Sequence, residues 1–259
     1  MYVTLSIMNL GIQGKRAIII GGTSGIGAAC AHALAAEGAN LALVARSEDN
    51  LQRAGRELMQ SFDVGVDTHS VDITNVDSVF RLTEEIRRSG GADILILNTP
   101  RPPSPMRDLL DENDNQRWET AYREQLHGAL NVLRSIVPVI TPKGWGRVIG
   151  ITSASVKQPM PRHAISSIFR AGVQAALKHL SLEVAAHGVT VNAVAPATII
   201  TPTFEQFHDV QSRVSLTPLK RAGTLEELAG TVAFLASQQA GYITGELIQV
   251  DGGRTSSLV

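Results

Sequence analysis

Seven residues, Gly21-Gly22-Thr23-Ser24-Gly25-Ile26-Gly27, carry the first chemistry legible in this chain. They join an apolar β-branched run, Ala17-Ile18-Ile19-Ile20, to an Ala-rich stretch ending at Gly38. A strand that turns through glycines directly into a helix collects unpaired backbone N–H groups and the positive end of a helix dipole at one point. A pyrophosphate fits there, because glycine lets the backbone turn tightly, approach the phosphates and bring helix against strand. Gly21, Thr23, Ser24, Gly25, Ile26 and Gly27 are the residues placed to do so. The same glycines would also serve a tight β-to-α turn that binds nothing.

Apolar runs and amphipathic stretches alternate around that turn. Strands are expected at 17–20, 40–45, 64–71, 93–97, 147–152, 189–194 and 246–250. The second helix runs from a Ser47 cap to about Phe62, with Leu51, Ala54 and Leu58 on one face. The third starts at Asn75 and places Val76, Val79, Phe80, Leu82 and Ile86 at helical spacing. Further helices are expected at about 113–140, 163–187 and 225–237. Prolines 100, 102, 103 and 105 make the segment 99–105 irregular, and a Pro- and Thr-punctuated loop fills 197–218. This alternation predicts an α/β fold: a Rossmann-like, doubly wound parallel sheet of about seven strands with helices on both faces. We expect one dinucleotide-binding domain over 1–259, with 197–218 as a substrate loop acting as a lid. Ligands then sit outside the carboxyl ends of the strands, where strand order reverses.

Composition narrows the class. Hydrophobic residues at 44% and charged residues at 18% supply a large core and exclude a disordered chain. A net charge of −1 without a long basic cluster argues against nucleic acid and anionic membranes as partners. Cys30 is the only cysteine, so an internal disulfide and a cysteine-based metal site are excluded, and its place in the first helix assigns it to packing. His32, His69, His127, His179, His187 and His208 show no metal-ligand spacing, and no metal is expected. No apolar run reaches transmembrane length, and the leader MYVTLSI lacks the basic start and long apolar centre of a signal peptide. A soluble, cytoplasmic protein is expected.

From Leu10 to about Gly253 the chain resembles the short-chain dehydrogenases/reductases. The resemblance rests on Gly21-x-x-x-Gly25-Ile26-Gly27, Asp72 after the third strand, Asn98 after the fourth and Ser153 after the fifth. It continues through Val191-Asn192-Ala193-Val194-Ala195-Pro196, Tyr242-Ile243-Thr244-Gly245 and Val250-Asp251-Gly252-Gly253, in the manner of the 3-oxoacyl-carrier-protein-reductase-like branch. It implies a nicotinamide dinucleotide, a small-molecule substrate and a homodimer or homotetramer, with the helices from Asn113 and His163 packing across the interface. It also places Asp72 at the adenine amine, Ile73 and Asn98 beside the cofactor, and Pro196 and Thr201 over its nicotinamide and phosphates. Asp72 could equally cap the helix after Thr74, and Ala197 replaces a usual glycine.

Charge argues the cofactor choice. Proteins of this fold that prefer NAD place an acidic residue near the end of the second strand to hold the ribose hydroxyls. Here that end reads Ala45-Arg46-Ser47, with no carboxylate until Glu48. The planar fork of Arg46 suits a 2′-phosphate, with Lys15 or Arg16 adding positive charge, so NADP(H) is favoured over NAD(H). A solvated loop arginine is the plainer account of Arg46.

The chemistry departs from the family. Its members carry a Tyr that donates or removes the proton and a Lys four residues on that binds ribose and lowers the phenol pKa, with Ser and Asn assisting. Ser153 stands at the serine position, but thirteen residues on comes Ser166, and four further Arg170, followed by the usual Ala171-Gly172. Gln125 stands where the Asn is expected, and the usual Asn-Asn-Ala-Gly after the fourth strand reads Leu97-Asn98-Thr99-Pro100. A phenol, with a reference pKa of about 10, can be tuned towards neutrality, whereas a serine needs an adjacent base to be useful. Arginine stays protonated, though it can bind ribose or a carboxylate. Ser166 and Arg170 share a helical face, giving a polar, cationic pocket without the usual acid, so standard ketone reduction is disfavoured.

His163, one turn before Ser166, is a candidate proton-transfer group, and Tyr122, one turn before Gln125, is another. Arg101 and Arg162 flank the expected mouth, where they would hold an anionic substrate. The plainer accounts are a solvated helix start, packing, and surface charge. Three functions stand open: an NADP(H)-dependent oxidoreductase with a rearranged proton relay; a non-redox enzyme of elimination, isomerisation or cyclisation using Ser153, Ser166 and Arg170; and a non-catalytic nucleotide-binding subunit paired with an active relative.

Overall fold

The computed structural model describes residues 9–206 and 209–258; the leader 1–7 and His208 lie outside them. The apolar run forms β1 (Arg16–Ile20), which turns into α1 (Gly25–Ala36). Gly38, at φ +79°, ends that helix, with its N–H on the Ala35 carbonyl and the Ala39 N–H on that of Leu34. Next come β2 (Asn40–Ala45) and α2 (Glu48–Ser61), the latter capped by the Ser47 hydroxyl accepting from the Asn50 N–H. They are followed by β3 (Val66–Ser70), α3 (Val76–Arg88) capped by Asn75, and β4 (Ile94–Asn98).

The third helix corrects one expectation. Val79, Leu82, Thr83 and Ile86 form its buried face, whereas Val76 and Phe80 are exposed. They fall beyond the edge of the apolar stripe, which is narrower than a list of apolar residues at helical spacing suggests.

The stretch expected as one long helix over 113–140 is interrupted. It comprises α4 (Asn115–Ala121), a π-helical turn (Tyr122–His127) and α5 (Gly128–Ile140). A π turn inserts a residue into the helical ladder and rotates the side chains that follow. Gly128 sits where a Cβ would meet the Ile73 side chain at 2.8 Å, so helix and strand-end loop approach closely there. The chain then forms β5 (Gly146–Ile151), α6 (Ala164–Val184) and β6 (Val189–Pro196). The supposed loop at 197–218 holds a short helix, α7 (Val210–Ser215), capped by Asp209. Six residues are too few to show a period in the sequence. Last come α8 (Leu225–Ala236), with a Thr224–Glu227 capping box, and β7 (Leu247–Val250).

All strand pairs are parallel, in the order β3-β2-β1-β4-β5-β6-β7. One face buries Cys30 and Leu34 of α1, Leu51 and Leu58 of α2 and Leu228 and Val232 of α8 against Ile19 and Leu41. The other buries Val79 and Ile86 of α3, Val132 and Ile136 of α5 and Val173 and Leu177 of α6 against Ile18 and Leu95. Each such side chain contributes about 1.5–3 kcal/mol of burial. This two-sided core explains the near-continuous apolar runs in the central strands. Strand order reverses between β1 and β4, which opens a crevice beyond their carboxyl ends. No helix among the described residues is long and apolar enough to cross a membrane.

Candidate active site

A cleft of about 600 Å³ lies at that crevice. Its floor is the β1–α1 turn. Gly21 holds φ +69°, and a Cβ there would stand 2.8 Å from the Asn98 carbonyl oxygen. A Cβ on Gly27 would collide with the Gly21 carbonyl oxygen. Only glycine fits either place. Thr23, Ser24, Gly25 and Ile26 face the cleft, and the Ser24 side chain makes no capping bond to the first turn of α1. The helix thus presents an uncapped, acid-free amino end to the cavity, at the place where the sequence leads one to expect an anion. Asn98, Pro196, Ala197 and Thr201 also line the cleft.

At the far end of this half, Arg46 leaves β2 and reaches Glu124 in the π turn, Nη1 to Oε1 at 3.0 Å. Asp72 Oδ1 accepts from the Thr74 N–H and hydroxyl, both at 2.9 Å. It therefore does not cap α3; Asn75 does, accepting from the Ser78 N–H at 2.9 Å. Asp72 and Ile73 both line the cleft. Lys15 and Arg16 do not. They lie at the amino end of β1, away from the crevice, where Lys15 stacks over Trp145 at 4.3 Å and Arg16 pairs with Asp67. Neither adds charge for a cofactor, because strand direction places them at the wrong end of the sheet.

The other half of the cleft is built from the end of β5 and the start of α6. Ser153 Oγ lies 2.9 Å from Ser155 Oγ and accepts from the Ser155 N–H. Ser166 and Arg170, one helical turn apart and both buried, face the same cavity. Arg170 donates from Nη1 to the Ile151 and Thr152 carbonyls at 2.9 and 3.2 Å, and from Nη2 to the Pro100 carbonyl at 3.4 Å. It thereby ties the end of β5 to the segment after β4. No carboxylate among the described residues pairs with it, and burial lowers its pKa to about 10, so it remains a cation at neutral pH.

His163 is half-buried at the start of α6 and lines the cleft, so it is not a solvated helix-start residue. Its Nδ1 lies 2.7 Å from the Pro161 carbonyl oxygen, which must receive a proton, leaving Nε2 to accept from Arg213 Nη2 at 3.3 Å. Burial first, and then Arg213, Arg162 and Arg254, push its pKa down. A neutral ring with its proton on Nδ1 accepts at Nε2 rather than donates there.

Arg213 on α7 was not foreseen, because nothing in its local sequence marks it; only the fold carries it over the cleft. Arg101 lines the same end, whereas Arg162 is exposed at φ +59° and outside the lining. Gln125 is fully buried in the π turn with neither amide atom partnered, and it does not reach the cleft wall. Tyr122 packs outside the cleft against His127 and Phe169, with ring centroids 5.8 and 6.2 Å away. No tyrosine or lysine among the described residues lines the cleft, and Tyr242 is fully exposed elsewhere. No group of three potential metal ligands occurs among them either.

A glycine turn at a parallel-sheet switch point, with polar groups converging beyond β5, defines the ligand crevice of a Rossmann-type fold. Residues 21–255 match the family model described as enoyl-(acyl carrier protein) reductase. Glucose 1-dehydrogenase of Gluconobacter oxydans is 35% identical over 256 residues, covering 93% of this chain and 92% of its own. A 3-oxoacyl-acyl-carrier-protein reductase of Haemophilus influenzae is 34% identical, covering 93% of this chain and 98% of its own. L-sorbose reductase of Gluconobacter frateurii, solved with NADPH and L-sorbose, superimposes with a TM-score of 0.89 at 32% identity, over 97% of this chain and 100% of the other. The chain belongs to the short-chain dehydrogenases/reductases, in the branch that includes the 3-oxoacyl-acyl-carrier-protein reductases.

Proposed function

We propose that this enzyme is an NADP(H)-dependent oxidoreductase in which Ser153, Ser166 and Arg170 replace the usual serine–tyrosine–lysine set. The observation that carries the proposal is the pairing of an intact glycine turn with a cleft that no phenol or amine of the described residues lines. The amino end of α1 would hold the pyrophosphate, Asp72 the adenine, and Arg46 the 2′-phosphate once it parts from Glu124. Thr201 and Phe204 would cover the bound dinucleotide from the loop after β6. When bound, the nicotinamide supplies or accepts hydride.

The chain's own groups then manage charge rather than deliver a proton. As hydride reaches a carbonyl carbon, the π pair moves to oxygen, and Ser153 and Ser166 donate hydrogen bonds to that oxyanion. Arg170, a buried cation, supports them electrostatically from the wall formed by α6. The proton arrives from water. A non-redox reaction at the same residues is favoured only by the missing phenol, and the retained nucleotide turn argues against it. Assembly as a homodimer or homotetramer is supported by Tyr122 at the end of α4 and Ile168 and Leu182 of α6, apolar side chains 41, 46 and 75% exposed.

Calorimetric titration with NADPH and NADH tests the cofactor assignment. Preference for NADPH in the native chain, lost in Arg46→Ala, is expected. Equal or undetectable binding of both nucleotides would overturn it.

A further inference from the structure

Arg46, assigned above to the 2′-phosphate, already has a partner. Its Nη1 lies 3.0 Å from Glu124 Oε1, and both residues line the end of the cleft that Ser47, Asn50, Val71 and Asp72 share. The carboxylate comes from a distant part of the chain, the π turn, which buries the adjacent Gln125 and brings Glu124 to the cleft. Arg123, next to it in sequence, pairs with Glu119 instead. Asp72, the other carboxylate on the lining, is held by the N–H and hydroxyl of Thr74. Glu124 is the more enclosed partner of the ion pair, its side chain 25% exposed against 64% for Arg46.

An ion pair at a ribose site acts on the two forms of the cofactor in opposite senses. A 2′-phosphate must draw the guanidinium away from a carboxylate and then remain near that carboxylate, and like charges at short range repel. A ribose without the phosphate presents a hydroxyl instead, which donates to a carboxylate. We propose that Glu124 is a specificity-determining residue: it competes with the 2′-phosphate for Arg46 and accepts from the ribose hydroxyl of NADH. The cleft then admits both nucleotides and prefers NADPH only modestly. This rests on the assignment of Arg46 to the cofactor and adds the residue that opposes it. The acidic residue that NAD-preferring proteins of this fold carry near the end of the second strand is supplied here from the π turn.

The test is calorimetric titration of NADPH and NADH into the native chain, Glu124→Gln, Arg46→Ala and the double variant. Glu124→Gln keeps the size of the side chain and removes a part-exposed ion pair, so its thermal midpoint should match the native one. Glu124→Ala repeats the measurement with the whole carboxylate arm gone. Both should bind NADPH about 10-fold more tightly and NADH about 5-fold more weakly, the scale of one charge-assisted hydrogen bond gained or lost. In the Arg46→Ala background the gain for NADPH should shrink to about 2-fold, because the competition is for that guanidinium. Unchanged or weaker NADPH binding in both Glu124 variants, with Arg46→Ala still costing NADPH affinity, would overturn the role of Glu124 and leave the cofactor assignment standing. A gain of equal size with and without Arg46, or undiminished NADH binding in both Glu124 variants, would also overturn it. NADPH binding indifferent to Arg46→Ala and to Glu124→Gln alike would overturn both readings.

Discussion

The two halves of the cleft were built to different rules. The nucleotide half keeps its glycines because geometry forbids anything else: a Cβ on Gly27 or Gly21 has nowhere to go. The half beyond β5 is built from side chains: Ser166 and Arg170, buried on the first turns of α6, stand where the family resemblance leads one to expect a tyrosine and a lysine. A scaffold that fixes a ligand by backbone shape tolerates exchange of the side chains that act on it. On the proposed function, fold and binding are inherited together while the chemistry diverges.

The sharpest way to break this contrast is to restore the missing pair. Ser166→Tyr combined with Arg170→Lys should raise carbonyl reduction with NADPH by about 100-fold or more, the scale of general acid catalysis, in a steady-state assay over simple ketones. No gain, with nucleotide binding intact, would show that the two halves differ by more than these side chains. Next in size, Gly27→Ala should abolish measurable nucleotide binding and cost about 1–3 kcal/mol of stability in urea titration, the usual penalty for overpacking. Arg46→Ala should weaken NADPH by about 10-fold and leave NADH unchanged, since a charge-assisted bond net of its existing pairing with Glu124 is worth about 1–2 kcal/mol.

The smallest effect concerns His163. Burial and the neighbouring arginines hold its pKa below the ordinary value, so the folded state binds fewer protons than the unfolded one. Its contribution to stability is complete above the unfolded pKa of about 6.5 and is lost as pH falls from there towards the folded value. Denaturant titrations across that window should show a downward slope with falling pH that His163→Asn flattens.

What the sequence disclosed follows the same division. The β1–α1 turn, the Ser47 and Asn75 caps and the parallel alternation were legible because each depends on neighbours within a few residues. The placement of Ser166 and Arg170 on one face followed from helical spacing on α6, while Ser153, at the end of β5, was legible through the family resemblance. Long-range pairings were hidden. Nothing local says that Glu124, in a π turn, meets Arg46. Lys15 and Arg16, by contrast, directly precede the strand expected at 17–20, so their place at its amino end was legible, and the charge role given to them overlooked strand direction. Arg213 was invisible for a related reason: it rides on a six-residue helix, and only the tertiary path brings it to His163. Gln125 was matched to a side-chain role by position, yet the turn that carries it buries its amide behind the wall.

A crystal structure of the chain with NADPH tests the central claim most directly. The pyrophosphate should rest on the first turn of α1, with the nicotinamide beside Ser153, Ser166 and Arg170 and no phenol oxygen facing the place of the substrate oxygen. A crevice closed to the nucleotide, or a tyrosine seated at the nicotinamide with a lysine behind it, would contradict the account.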